Sequence, residues 1–299
     1  MGTKKKFFSG TFQYQPLWLF KQERQFIGML LCFFLIAMFV YPYPQIAMWV
    51  GFIFAAYAAI ANDSIQTIGT FLASNQHRKW WVLWIFIAGI FVLTVTYSWF
   101  VFDGDVSHQR LAAKGFEEAP TEFHFLQLAA PLFLIMLTRM RMPVSTTFLL
   151  LSSFAASGSG IGKVLFKSIS GYFLAFIMGF IVFIAVAKAV KGWIEKGEAH
   201  PGWTIAQWLT SGVLWSVWIM QDAANIAVYL PRSLSGVEFC AFTAVVVIGL
   251  GMLLYFKGGR IQKIVTEKSS VVDVRAATII DMIYAIILFY FKLYNNVPM

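Results

Sequence analysis

The chain has 299 residues, of which 59% are apolar and only 12% charged, with a formal net charge of +9. Soluble domains hold roughly 45 to 50% apolar and about 25% charged residues, so a water-soluble globular domain is excluded. The surplus Lys and Arg residues sit in short loops between apolar stretches and form no single basic stripe, which argues against a nucleic-acid partner and fits the positive-inside pattern of a membrane protein. The expectation is an all-α integral membrane protein, multi-pass in the cytoplasmic (inner) membrane.

In chain order, residues 1–44 hold a polar-aromatic lead, Phe7 to Phe20, suited to lying on a membrane surface, and an extra span, Gln25 to Tyr41. Lys4 to Lys6, Lys21 and Arg24 place the N-terminus in the cytoplasm. No small-residue cleavage site follows the span, so a removable signal peptide is not expected. Spans Gln45 to Ala61 and Trp80 to Phe102 come next, joined by a loop with His77, Arg78 and Lys79 that belongs inside. The Asp103 to Glu122 loop, holding Asp103, Asp105, Glu117, Glu118 and Glu122, then falls outside.

Two stretches that follow, Phe123 to Leu137 and Pro143 to Ser157, are too short to cross. Fifteen helical residues reach about 22 Å against a hydrocarbon core of about 30 Å. They predict a re-entrant hairpin whose tip lies at membrane depth. Gly162 to Ala187, Trp203 to Met220 and Val237 to Phe256 complete the spans. Cys32 and Cys240 lie inside apolar spans and read as packing residues, with no disulfide and no metal site between them. The glycines from Gly158 to Gly171 permit a turn and close helix contact.

An internal repeat organises these elements. Ala61-Asn62-Asp63-Ser64-Ile65-Gln66 recurs in altered form as Met220-Gln221-Asp222-Ala223-Ala224-Asn225. Each copy is followed by a long apolar span, a hydrophilic loop, a short apolar span and a proline, Pro143 or Pro298. Asp63 and Pro143 are 80 positions apart, and Asp222 and Pro298 are 76 apart, a near-equal spacing. The first hydrophilic loop is acidic, whereas Lys257 to Arg275 is basic, so the copies should have inverted topology. The expected layout is an N-terminal segment 1–44, a first repeat 45–188, a cytoplasmic linker 189–202 and a second repeat 203–299.

A carboxylate within lipid costs about 2.5 to 3.5 kcal/mol on insertion scales and tends to mark an ion or proton path. Asp63 and Asp222 hold matching positions, while the bland alternative for either is a helix cap at the membrane surface. Asn62, Gln66, Gln221 and Asn225 beside them offer amide groups for sodium or an oxyanion. Ser145, Thr146 and Thr147, directly after Pro143, would open a helix at the hairpin tip, where free amides and hydroxyls suit an anion; the bland reading is an ordinary cap. Arg139 and Arg141 either face the cavity and neutralise an oxyanion or are plain inner-loop charges.

Met142-Pro143-Val144-Ser145-Thr146-Thr147 resembles the PVSTTH segment of the inorganic phosphate transporter (PiT) family, and the two Asp motifs resemble that family's duplicated GxNDxxNA signature. The resemblance covers roughly Gln45 to Met299. It implies a symporter of inorganic phosphate, or a sulfate-like anion, coupled to sodium or protons, and no catalytic activity. By position, Asn62, Asp63, Asp222 and Asn225 would serve the ion and anion, with Gln66 and Gln221 completing the ion site; Ser145, Thr146, Thr147 and Arg141 would hold the anion. The sequence departs from the family pattern at Gln66, at Gln221 and at Phe148, which replaces a usual His. The second copy reaches Val297-Pro298-Met299, where a matching hydroxyl run would follow. Two alternatives stand beside the symporter: a non-transporting membrane subunit or receptor, and an intramembrane aspartyl hydrolase using both Asp residues. An aromatic share of 18% supplies rings for the lipid interfaces and for a homodimer contact.

Overall fold

The computed structural model describes residues 16–140, 142, 144–155, 197, 199–256 and 273–294, with residues 162, 165–166, 169–171, 173–174, 176–181 and 184. Among these, every regular element is a helix: α1 (Pro16–Val40), α2 (Pro44–Ala59), a π-helical turn (Ile60–Ser64), α3 (Ile65–Ser74), α4 (Trp80–Val101), the short α5 (Arg110–Ala113), α6 (Phe125–Arg139), α7 (Thr146–Ser153), α8 (Gly202–Ala227), α9 (Gly236–Tyr255) and α10 (Val274–Tyr294). Among the described residues, four helices are long and apolar enough to cross a membrane: Glu23–Val40, Pro44–Ser64, Trp80–Val101 and Gly236–Tyr255. The chain is thus a helical protein of membrane type.

Three expectations change. The stretch Trp203 to Met220 does not qualify as an apolar span; it lies inside the longer α8, whose buried side carries Gln207, Ser211, Gln221 and Asn225. The last apolar segment is no short arm, because α10 has 21 residues, about 32 Å of helical rise. The lead also merges with the first span, since Pro16 to Phe20 already belong to α1. Residues 1–15, the linker 189–196 and the basic run 257–272 lie outside the described residues, as does Pro298. Arg275, counted with that basic run, starts α10 and bonds Asp273 instead, Nη2 to Oδ2 at 2.8 Å. That hydrogen bond holds the Asp273 carboxyl below the usual carboxylate range.

Local chemistry sets the helix ends. Pro44 opens α2 at a position where its missing N–H costs nothing. Ser235 and Glu238 form a capping box on α9. Arg232 closes the far end of α8: its Nη1 donates to the carbonyls of Ala227, Val228 and Leu230, and its Nε and Nη2 reach Phe116 and Glu118 carbonyls of the acidic loop. Burial pulls this guanidinium down to about 10, so it stays charged at neutral pH.

The core forms where α2, α4, α6, α8 and α9 meet. α2 and the turn that follows α8 approach so closely that a Cβ on Gly51 would collide with the Tyr229 ring. That ring has a further task. Pro131, inside α6, has no N–H to give the carbonyl four residues back, which belongs to Gln127. The Tyr229 hydroxyl donates to that carbonyl at 2.7 Å, so the buried acceptor is paired after all. Tyr229→Phe should therefore lower stability by about 1 to 3 kcal/mol, the cost of an orphaned buried acceptor. Adding Pro131→Ala should recover part of that loss by restoring the helix donor. Thermal unfolding of both variants in detergent checks this; a double variant no more stable than Tyr229→Phe alone contradicts it.

Candidate functional site

Asp63 sits in the π-helical turn between α2 and α3, and Asp222 in the second-last turn of α8, yet their carboxyl groups come together closely enough to act on one another. The extra residue of a π turn re-aims the side chains at its centre, which is why such turns recur at functional sites. Here it leaves Asn62, Asp63 and Ser64 all buried.

The remaining groups close around this pair. Asn62 Nδ2 donates to Asp63 Oδ1 at 2.7 Å and to Thr146 Oγ1 at 3.3 Å. Thr146 in turn hydrogen-bonds the Asp63 carboxyl. On the other side, Asn225 Nδ2 donates to Asp222 Oδ1 at 3.1 Å, and the Trp218 indole donates to Asp222 Oδ2 at 2.9 Å. Thr147 Oγ1 donates to Asn225 Oδ1 at 3.1 Å and ties α7 to α8. Asn62, Asp63, Thr146 and Asn225 are buried, whereas Asp222 and Thr147 keep partial exposure.

The structure thus brings together Asn62, Asp63, Thr146, Thr147, Asp222 and Asn225. Ser145 divides the two readings of the hydroxyl run: its Oγ accepts from Phe148 N at 3.1 Å, so it caps α7, while the Thr146 hydroxyl meets the Asp63 carboxyl and the Thr147 hydroxyl the Asn225 amide. Gln221 is buried on α8 but takes no part in this hydrogen-bond cluster. Gln66 lies in α3, but its side chain is outside the described residues, as is Arg141. Arg139 does not reach the site. Glu23 of α1 holds its guanidinium at 2.7 Å, and the Phe26 ring lies 4.9 Å below it.

Two features were not foreseen. Arg110, on α5 in the loop assigned to the outer water, folds back over α8, and its charge acts directly on Asp222. Burial pulls this guanidinium down to about 10, against the opposing effect of Asp222, so it remains a cation. Asp281 on α10 is also buried, 1% exposed, and accepts from Thr70 and Ser211. Beyond α5 a groove of about 520 Å³ is lined by Asp103, Asp105, Glu117 and Arg232, and it does not include the paired Asp residues.

Two carboxyls in contact need a proton or a cation between them. The described residues contain no group of three or more His, Cys, Asp or Glu side chains arranged to hold a metal ion. Carboxyl, amide and hydroxyl oxygens together are hard ligands, suited to a proton or an alkali cation. No family model matches the chain, and neither curated proteins nor solved structures give a match.

Because the two carboxyls act on one another, their removal should not be additive. In a double-mutant cycle with Asp63→Asn and Asp222→Asn, unfolding in detergent should give a coupling of about 1 to 3 kcal/mol. Additive single effects would mean that the two side chains do not interact.

Proposed function

We propose that the chain is a secondary transporter of inorganic phosphate or a similar oxyanion, coupled to protons or sodium, in the cytoplasmic membrane. The observation that carries this reading is the contact between Asp63 and Asp222, with Thr146 and Thr147 beside it at the start of α7. A helix start with two hydroxyls offers an anion its donors. Two carboxyls repel it.

That conflict is the coupling argument. An oxyanion can occupy the space beside two carboxyls only when positive charge enters with it and neutralises them. Arg110 supplies part of that charge from the loop side. A coupled cation or proton supplies the rest, so neither ligand is held well without the other.

The inverted-repeat architecture belongs to the same proposal. In its favour, α6 packs on α2 and α10 packs on α8, and the two motif-bearing segments meet at their Asp residues. Alternating access would then rock one copy against the other about that meeting point.

A carboxyl pair in contact is also the arrangement of an aspartyl hydrolase. The donors from Asn62, Thr146, Trp218 and Asn225 already occupy carboxyl oxygens that a hydrolytic water would need, which favours the transport reading.

Purified protein in proteoliposomes should take up labelled phosphate under an imposed proton or sodium gradient, with unlabelled sulfate as the competitor. Asp63→Asn should abolish uptake, and Thr146→Val should reduce it at least about tenfold, the loss expected when one direct hydrogen bond to a bound anion goes. Uptake unchanged by Asp63→Asn removes the site. Phosphate binding by calorimetry without any uptake supports the receptor alternative instead.

A further inference from the structure

A second buried carboxyl, Asp281, takes no part in the Asp63–Asp222 cluster. It lies on α10 and is 1% exposed. Thr70 Oγ1 of α3 donates to its Oδ1 at 2.8 Å, and Ser211 Oγ of α8 donates to its Oδ2. No basic side chain among the described residues acts on it.

Its position relative to the first pair follows from helix geometry. Thr70 is seven residues past Asp63, and Ser211 eleven residues before Asp222, so each lies on nearly the same helix face as its Asp, roughly 10 to 16 Å away along the axis. Both offsets run toward the end where α3 finishes and α8 begins. Polar groups continue beyond Asp281 in that direction. Ser74 Oγ donates to the Thr70 carbonyl at 3.0 Å, Gln207 donates to Ser74, and Asn75 Nδ2 donates to Gln207 Oε1 at 3.1 Å. Asn75 also accepts from the Trp208 indole at 3.2 Å.

Toward the Asp63–Asp222 pair the α8–α10 side of the seam turns apolar, while on α3 the Thr67 hydroxyl donates to the Asp63 carbonyl at 2.9 Å. Leu214 and Val217 of α8 pack there on Ala285 and Leu288 of α10, with Trp218 against them. The molecule therefore holds two carboxyl stations in one seam, with an apolar plug between them.

We propose that Asp281 is a proton-binding site, loaded from the end of the seam marked by Asn75 and Gln207 and separated by the plug from the Asp63–Asp222 pair. One carboxyl and two hydroxyls supply four oxygens, fewer than the six or so a hard cation usually gathers but sufficient to position a proton. An ionised carboxyl buried without a cation is costly, and a proton removes that cost. The elements packed on α10 present no competing charge: α3 has no titratable side chain, and Asp222 is the one titratable group on α8. On α10 itself, Arg275 bonds Asp273 at the helix start, Tyr284 and Tyr290 are exposed, and Lys292 lies three turns beyond. The inference rests on the transport reading for its purpose, since it makes the proton the coupling ion, but the binding event stands without it.

Infrared difference spectroscopy of the purified protein, recorded while pH is raised, reads the carboxylic C=O stretch directly. A band that disappears on raising the pH should be present in the wild type and in Asp63→Asn, and absent in Asp281→Asn, which keeps the shape and the hydrogen-bond acceptor. Thr70→Ala should move the pH at which the band is lost. The Asp63–Asp222 pair's own band is identified by its loss in the Asp63→Asn/Asp222→Asn double variant; if no further titrating band is removed by Asp281→Asn, the proposal is overturned and Asp281 is a structural tie. Near-ultraviolet circular dichroism establishes that the variants are folded. An assigned band without phosphate uptake sinks the transport reading alone; uptake without the band sinks the proton site alone.

Discussion

The contact between the Asp63 and Asp222 carboxyl groups constrains its whole surroundings, because in an apolar interior it persists only where donors and positive charge converge on it. The structure meets that requirement from four elements. Asn62 comes from the π turn, Thr146 from α7, Trp218 and Asn225 from α8, and the Arg110 charge from α5. None of these elements could be displaced without leaving a buried carboxyl oxygen short of a partner. The arrangement accordingly fixes how α2, α7 and α8 sit against one another, as surely as the Tyr229 ring in the space left by Gly51 does.

The same constraint gives the site its chemical character. A cluster with only carboxyls would be a cation trap, and one with only hydroxyls and helix amides would hold anions. Here both sets share one volume. In the proposed transport reading, their opposing preferences would make the occupancy of each ligand depend on the other, which is the thermodynamic content of coupling.

Much of this was legible in the sequence, for a physical reason. A charged residue within an apolar run is conspicuous, so Asp63 and Asp222 declared themselves, and the hydroxyl run from Ser145 to Thr147 stood out directly after a proline. The rule that finds Asp63 also applies to Asp281, set in Ile279-Ile280-Asp281-Met282-Ile283, but the repeat pattern makes that segment a short apolar arm marked only by its terminal proline. Arg110 was hidden differently. Loop charges are ordinarily solvated, and nothing local in Gln109-Arg110-Leu111 announces that α5 folds down onto α8. The π turn was equally silent, since a one-residue insertion in a helix ladder depends on tertiary packing. Arg139, whose position leaves a site role and a plain loop charge equally readable, is neutralised by Glu23 of a helix outside the repeat.

The character of α8 links these observations. Gln207, Ser211, Gln221 and Asn225 make one side of it polar and buried, while Ile205, Leu209 and Val213 stay exposed on another. A helix with that surface is stable at membrane depth only if other helices cover it and its polar groups find one another. α2, α3, α4, α7 and α10 pack on it, and its polar groups pair chiefly with α3, α7 and α10. Covering such a helix completely with apolar side chains would have been simpler, but it would have left each of those groups unsatisfied. The polar seam is what remains when α8 carries chemistry along its length, from Gln207 to Asn225, and the surrounding helices keep lipid away from it.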